Sequence, residues 1–446
     1  MEKKVEGIYD GFKELGTGKM IVLGLQHVFA MFGATVLVPI LTGLSISVTL
    51  FCAGIGTIWF YFITKKKVPI FLGSSFAFLG AFASVANGEM EKLPYATLGV
   101  VCAGLLYVVL AALIAIFGPK KVMRLFPPVV TGPIIVLIGL ILSGSAINNA
   151  QTNWILAIIA VVVIICTNLF GKGMIKIIPV LMGIIVSYVI GALISLISGN
   201  ALFGLPWVDF SSFAGTKIFA VPPFMDYSPL RFVFGLQAMD GALAANAIVT
   251  FIVVAVAAMV EHVGDICAIG ATCGKNFIAD PGLTRTLLGD GIGTSLAGLF
   301  GGPANTTYSE NTGVVALTKV YDPKVMLIAA CFTIILSFVS IFEAFINTIP
   351  ASIIGGISMV LYGMISATGV RTIVEHQVDF KNMRNILVAA LILVCGLGFN
   401  TYPLQLGPIS LGGLAVAAIV GIIANAVLPG KDYEFRIEDE GGTEEA

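Results

Sequence analysis

The chain has 446 residues, of which 58% are hydrophobic and 11% charged, against about 25% charged in soluble domains. That composition excludes a soluble enzyme or binding module and identifies a polytopic membrane protein. The net charge of -1 gives no sign of a nucleic-acid partner, and the 51 glycines suit close helix packing in lipid.

The segment Met1 to Gly18 is charged and lacks the apolar region and cleavage site of a signal peptide, so it is expected to stay on the cytoplasmic side. With about 20 apolar residues per crossing, spans are predicted at Met20 to Leu41 and Val48 to Ile63, the second stopped by Lys65, Lys66 and Lys67. The third stretch, Val68 to Ala86, is interrupted by Gly73-Ser74-Ser75 and reads as extended first and helical from Phe76. Spans four to seven follow at Tyr95 to Phe117, Val129 to Ala146, Trp154 to Phe170 and Ile178 to Ile197. The segment Ser198 to Leu236, rich in proline and aromatics, is expected on the outer membrane surface. Spans eight and nine are Gly241 to Gly264 and Gly289 to Phe300, joined by a polar stretch from Lys275 to Arg285. The tenth is broken. Spans eleven to fourteen are Val325 to Phe345, Ile353 to Ala367, Ile386 to Phe399 and Ile409 to Leu428, before an acidic tail. The scattered cysteines have no metal-ligand spacing and read as core thiols.

The break in span ten, Gly301 to Gly313, is a polar run at membrane depth, tolerated only where protein or a watery cavity surrounds it. A carboxylate there, Glu310, adds roughly 2.5 to 3.5 kcal/mol on insertion scales, which makes it a functional candidate. With the N-terminus inside, only Lys92, Lys217 and Arg231 of the 24 basic residues fall outside, which supports about fourteen crossings with both ends cytoplasmic.

Fourteen spans broken at the third and tenth make two sets of seven with opposite orientation. Ser74-Ser75-Phe76 then stands opposite Thr306-Thr307-Tyr308, and such paired breaks point to a transporter binding site. Half-helix starts aim free N-H groups at the gap between them. The four hydroxyls are expected to satisfy the extended backbone or cap the half-helices, and the rings of Phe76 and Tyr308 to form flat walls for a flat, polar, uncharged ligand. Glu261 and Glu310 are the acids expected in the site, with Asp265 one turn past Glu261 on the same face. Low-dielectric surroundings favour the protonated carboxyl, which offers a route to proton coupling. His27 and His262 read as packing residues, and Asp240 and Asp290 as interfacial ones. No Lys or Arg is expected near the site.

The stretches Gln26 to Thr35, Leu72 to Phe78, Glu261-His262-Val263-Gly264-Asp265, Asp280-Pro281-Gly282-Leu283 and Asn305-Thr306-Thr307-Tyr308-Ser309-Glu310-Asn311 resemble the nucleobase-ascorbate transporters, and among them the bacterial uracil permeases. The similarity runs from about Leu23 to Leu428. It implies an all-α membrane protein of two inverted seven-span repeats, with spans three and ten each a short strand plus a half-helix. It further implies a core domain (19–126 and 237–346) and a gate domain (127–198 and 347–429). The N-terminus (1–18), an external connector (199–236) and a cytoplasmic tail (430–446) complete the chain.

The function implied is proton-coupled import of a nucleobase, most simply uracil, across the cell membrane by a homodimer, with no enzymatic cofactor and sodium a poorer coupling ion than the proton. Glu261 and Glu310 would hydrogen-bond the base, Phe76 and Tyr308 would flank it, Ala34 and Ser309 would line the pocket, and Asp265, Asn311 and His27 would stand behind them. Two residues depart from the uracil permeases, which usually have His at position 265 and Gly at 309. Ionised Asp only accepts hydrogen bonds, whereas His can donate one, so xanthine or another purine remains open as substrate. An anion carrier of the sulfate-transporter type is the alternative of a different class, opposed by the two carboxylates.

Overall fold

The computed structural model describes residues 6–86, 88–118, 121–122, 127–198, 207–208, 216–407 and 409–430. The expected tail after 430, residues 199–206 and 209–215 of the connector, the first five residues and the basic residues Lys120 and Arg124 lie outside them. The first half comprises α1 (Gly11–Thr42), α2 (Ile46–Ile63), β1 (Leu72–Ser74), a 3-10 turn at Phe76–Phe78, α3 (Leu79–Ala86), α4 (Leu93–Phe117), α5 (Pro128–Ala150), α6 (Trp154–Phe170) and α7 (Pro179–Ser198). The second repeats that order: α8 (Gly241–Cys273), α9 (Leu283–Leu299), β2 (Asn305–Thr307), α10 (Ser309–Thr318), α11 (Lys324–Ser337), α12 (Ser340–Asn347), α13 (Ala351–Glu375), α14 (Met383–Thr401) and α15 (Gly413–Val427).

All fourteen expected elements occur in order. Among the described residues, eight helices are long and apolar enough to cross a membrane, or nine if α11 and α12, bent by 79°, count as one span. Helices α3, α6 and α15 are apolar but shorter, so length and composition alone identify eight or nine full crossings and do not confirm the count of fourteen.

Local chemistry sets the helix ends. Asn153 caps α6 by accepting from the amides of Ile155 and Leu156, and Asp240 caps α8 through Ala242 and Leu243. Ser45 starts α2, and Glu343 from α12 accepts from both its hydroxyl and the Ile46 amide. Gly43 and Gly274 end α1 and α8 in the left-handed conformation that glycine enters without strain. On α6, Ile158, Val162, Ile165 and Leu169 are exposed at helical spacing, an apolar stripe suited to lipid.

Two groups of helices pack internally. One holds α1, α2, α4, α8, α9 and α11 with both strands; the other holds α5, α6, α7, α13, α14 and α15. Glycine permits the closest crossings. A Cβ on Gly291 of α9 would lie 2.7 Å from the Gly104 oxygen of α4, and one on Gly369 of α13 would lie 2.6 Å from the Gly132 oxygen of α5.

Several expectations change. Helix α1 begins at Gly11, inside the expected tail, and α9 begins at Leu283, so Arg285 is helical rather than part of a polar loop. Helix α13 runs on to Glu375, eight residues past Ala367. The start of the fourteenth span is instead strand β4 (Ile409–Leu411), hairpinned to β3 (Leu404–Leu406), because a short apolar run carries no period that tells strand from helix. Trp207 and Val208, expected on the membrane surface, are buried, and the Ser195 hydroxyl of α7 donates to the Val208 carbonyl at 2.9 Å.

Candidate functional site

The two breaks meet at the centre of the first helix group. Strands β1 and β2 pair antiparallel, Leu72 with Thr307, Gly73 with Thr306 and Ser74 with Asn305. The Ser75 amide donates to the Ala304 carbonyl at 2.8 Å, and the Tyr308 amide to that of Phe71 at 3.0 Å, which extends the pairing at both ends. Each strand is tied to the helix before it by a threonine: Thr57 accepts from the Leu72 amide at 2.9 Å, and Thr294 donates to the Asn305 carbonyl at 3.0 Å. Buried extended backbone thus finds its partners inside the protein, as hydrocarbon surroundings require.

From this frame the 3-10 turn and α3 lead away on one side and α10 on the other. Neither start has a side-chain cap. Ser74 donates instead to the Thr35 carbonyl of α1 (3.1 Å), Thr307 donates to Asp265, and the buried hydroxyls of Ser75 and Thr306 have no hydrogen-bond partner among the described residues. The expected capping by these four hydroxyls is therefore absent. The amides that open the half-helices are thus left uncapped by the hydroxyls that precede them.

A cavity of about 400 Å³ lies against these starts, lined by Phe76, Glu261, Asp265, Thr306, Thr307, Tyr308, Ser309 and Glu310, with α5 and α13 opposite. Glu261 and Glu310 are exposed although they lie deep in the molecule, because the cavity reaches them. Glu310 stands in the first turn of α10, where the helix dipole favours a negative group. Asp265 is buried and accepts from Thr307 at 2.6 Å and from Ser309 at 2.5 Å. Phe76 is half-buried at the wall. Tyr308 is 4% exposed; its ring covers Gly73, and its hydroxyl donates to the Ser74 carbonyl at 2.8 Å, so it presents little ring surface to the cavity.

Behind Glu310, Asn311 Nδ2 lies 3.1 Å from both His27 Nδ1 and the His27 carbonyl, joining α10 to α1. Ala34 lines a smaller adjoining cavity of about 170 Å³, which also touches Glu310, rather than the main one. Asp290 is fully buried, not interfacial: α9 starts two turns earlier than expected, and Asp290 Oδ2 sits 2.9 Å from His262 Nδ1, without hydrogen-bond alignment. The main cavity continues to the end of α13, where Thr368, Arg371, Thr372, Glu375 and His376 form its mouth. An arginine therefore does stand at the cavity, held by Glu375 at 2.6 Å. The residues missed were Thr307 as the partner of Asp265, the His262–Asp290 contact and this mouth. The i, i+4 spacing of Arg371 and Glu375 was the available signal for the last.

Paired uncapped helix starts, two carboxylates and a cavity open at one end define a membrane carrier. A family model described as a permease family matches residues 18–405. The uracil permease of Bacillus caldolyticus is 37% identical over 425 residues, covering 93% of each chain. That of Bacillus subtilis (strain 168) is 37% identical over 429 residues, 92% of each, and a putative pyrimidine permease of Escherichia coli (strain K12) is 35% identical over 95% of this chain and 93% of its own. The chain belongs to this permease family. It is a transporter and not an enzyme, with several crossings of the cell membrane.

Solved structures share the fold. The transmembrane domain of the cyanobacterial bicarbonate transporter BicA aligns with a TM-score of 0.61 at 16% identity, over 94% of this chain and 99% of its own. The murine anion transporter Slc26a9, inward-facing, also gives 0.61, at 12% identity, over 92% of this chain and 67% of its own. The fold of two inverted repeats with broken third and tenth elements is thereby established.

Proposed function

We propose that this permease imports a nucleobase together with a proton, with uracil, the substrate named for its relatives, as the first candidate. The observation that carries the reading is the convergence of Glu261 and Glu310 on one cavity beside two uncapped helix starts. Carboxylates accept the ring N-H groups of a base, amides at the helix starts donate to its carbonyls, and the Phe76 ring covers its face. Tyr308 contributes backbone, Ser309 the adjacent edge, and Asp265 its support. His27 and Asn311 hold α10 behind Glu310, and Ala34 lines the smaller cavity beside it.

In this reading the helix group carrying both strands is the moving core and the other is the gate. Both termini are cytoplasmic, and the α13 mouth opens inward. The proton rather than sodium is the coupling ion, because two carboxylates that face each other across a cavity lose their repulsion when one is protonated. The functional unit is a homodimer. The tested form is purified protein in proteoliposomes: labelled uracil should accumulate under an inward proton gradient and should stop doing so when an ionophore collapses it. Failure of every labelled pyrimidine and purine base to enter would end the proposal.

An anion carrier gains one supporting observation, Arg371 at the cavity mouth, but Glu375 already engages that guanidinium. Uptake of sulfate and of no base would reverse the order. Uptake of xanthine in preference to uracil would keep the nucleobase reading and change its substrate.

A further inference from the structure

The two positions at which this chain departs from its uracil-permease resemblance touch each other. Ser309 Oγ donates to Asp265 Oδ1 at 2.5 Å, and Thr307 Oγ1 donates to Asp265 Oδ2 at 2.6 Å. Asp265 comes from α8 and the other two flank the junction of β2 and α10, so one carboxylate holds both sides of the break. Each carboxylate oxygen is engaged and Asp265 is buried, whereas Ser309 is exposed to the cavity that Glu261 and Glu310 also line.

A hydroxyl has one proton and two lone pairs. The Ser309 proton is committed to Asp265, so the oxygen that faces the ligand can only accept. With the carboxylates of Glu261 and Glu310, it makes this corner of the cavity a row of acceptors. The amides that open α10 are left as the donors for a ring carbonyl. Glycine at 309 would offer nothing at the same place, and histidine at 265 could donate there.

We infer that Thr307, Asp265 and Ser309 form one hydrogen-bonded unit that turns an acceptor toward the ligand and so selects a base with an N-H beyond those of uracil at that corner. Ser309 is the specificity-determining contact. Asp265 is a positioning residue that acts through it, and Thr307 fixes the carboxylate. The inference rests on the nucleobase reading. It gives the two departures a single cause: each supplies the hydrogen-bond partner of the other.

Asp265→Asn separates positioning from bulk. With its amide nitrogen toward Ser309 it donates where Asp accepted, and the Ser309 proton swings into the cavity as a donor.

The test is a binding titration of the full-length purified protein with uracil and with xanthine, which keeps uracil's N-H and C=O pattern and adds an imidazole N-H. The ratio of the two dissociation constants is read, because partial loss of folded protein cancels in it. One hydrogen bond of this kind corresponds to roughly tenfold in that ratio. Ser309→Ala should move the ratio about tenfold toward uracil, Asp265→Asn by a similar factor, and the double variant no further than either alone. A ratio unmoved by Ser309→Ala, or single effects that multiply in the double variant, would overturn the inference. A wild-type protein that binds uracil and not xanthine would overturn it while leaving the nucleobase reading intact. A wild-type protein that binds neither would remove both.

Discussion

The two broken elements share a backbone design and differ in chemistry. On the first side, β1 leads through the 3-10 turn into α3, an uncharged and mostly apolar half-helix whose Leu79, Phe82 and Val85 are buried, and Phe76 is the main contribution of this side to the cavity. On the second, β2 leads into α10, which carries Ser309, Glu310 and Asn311 in its first turn. The strand anchors correspond, Thr57 binding Leu72 at the start of β1 and Thr294 binding Asn305 at the start of β2. An inverted repeat thus duplicates the frame and not the function. The symmetric part is the backbone at both helix starts, and the carboxylates beside those starts, Glu261, Asp265 and Glu310, come from α8 and α10.

Substitutions on the two sides should therefore have unequal effects. The largest is expected for Glu310→Gln, which keeps the shape and removes a charge-assisted acceptor worth about 1.5 to 3 kcal/mol; base affinity should fall roughly 10- to 150-fold. Phe76→Leu should cost under about tenfold in the same titration. Equal losses would contradict the asymmetry.

Next comes the seam between the two sides. A Cβ on Gly73 would fall 2.4 Å from the Tyr308 ring and 2.8 Å from Thr35 Oγ1, so Gly73→Ala should destabilise the protein by about 1 to 3 kcal/mol through overpacking. Lower thermal unfolding temperatures in detergent, with and without ligand, would register it. A smaller effect, about 1 kcal/mol, is expected for Tyr308→Phe, which removes the hydroxyl that joins β1 and α1. The smallest is expected far from the seam. Lys67 bonds exposed Asp280 and holds its carboxyl below the usual range. Stabilisation of that sign is present above the ordinary Asp pKa and is lost as pH falls through the lowered one. Lys67→Ala should thus leave uptake at neutral pH unchanged, and a marked loss would assign this pair a role in transport.

Much of this was legible from residue order. Polar residues in apolar surroundings revealed Gly73 to Ser75 and Asn305 to Glu310, and helical spacing put Glu261 and Asp265 on one face. Burial of Asp290 was not legible, because it depends on α9 starting at Leu283 and crossing α4 at Gly104. The α13 mouth was missed for a related reason: Thr368, Arg371 and Glu375 line a cavity, and cavity-lining residues in a helix have the composition of a loop. The bond between Asp265 and Ser309 joins residues 44 positions apart. The pairing of β2 with β1 and the packing of α10 on α8 together bring Ser309 to Asp265.

That pairing also constrains how the protein can diverge. Three residue pairs, extended at each end by one backbone bond, set the register of the two strands, and in a strand a shift of one residue turns each side chain to the opposite face. A single codon inserted or deleted at 72–74 or 305–307 would rotate Thr307 away from Asp265 and carry Glu310 out of line with Glu261. Substitutions can retune the ligand. Changes in length at the seam break the instrument, so descendants of this chain can explore new cargo by spelling but not by spacing.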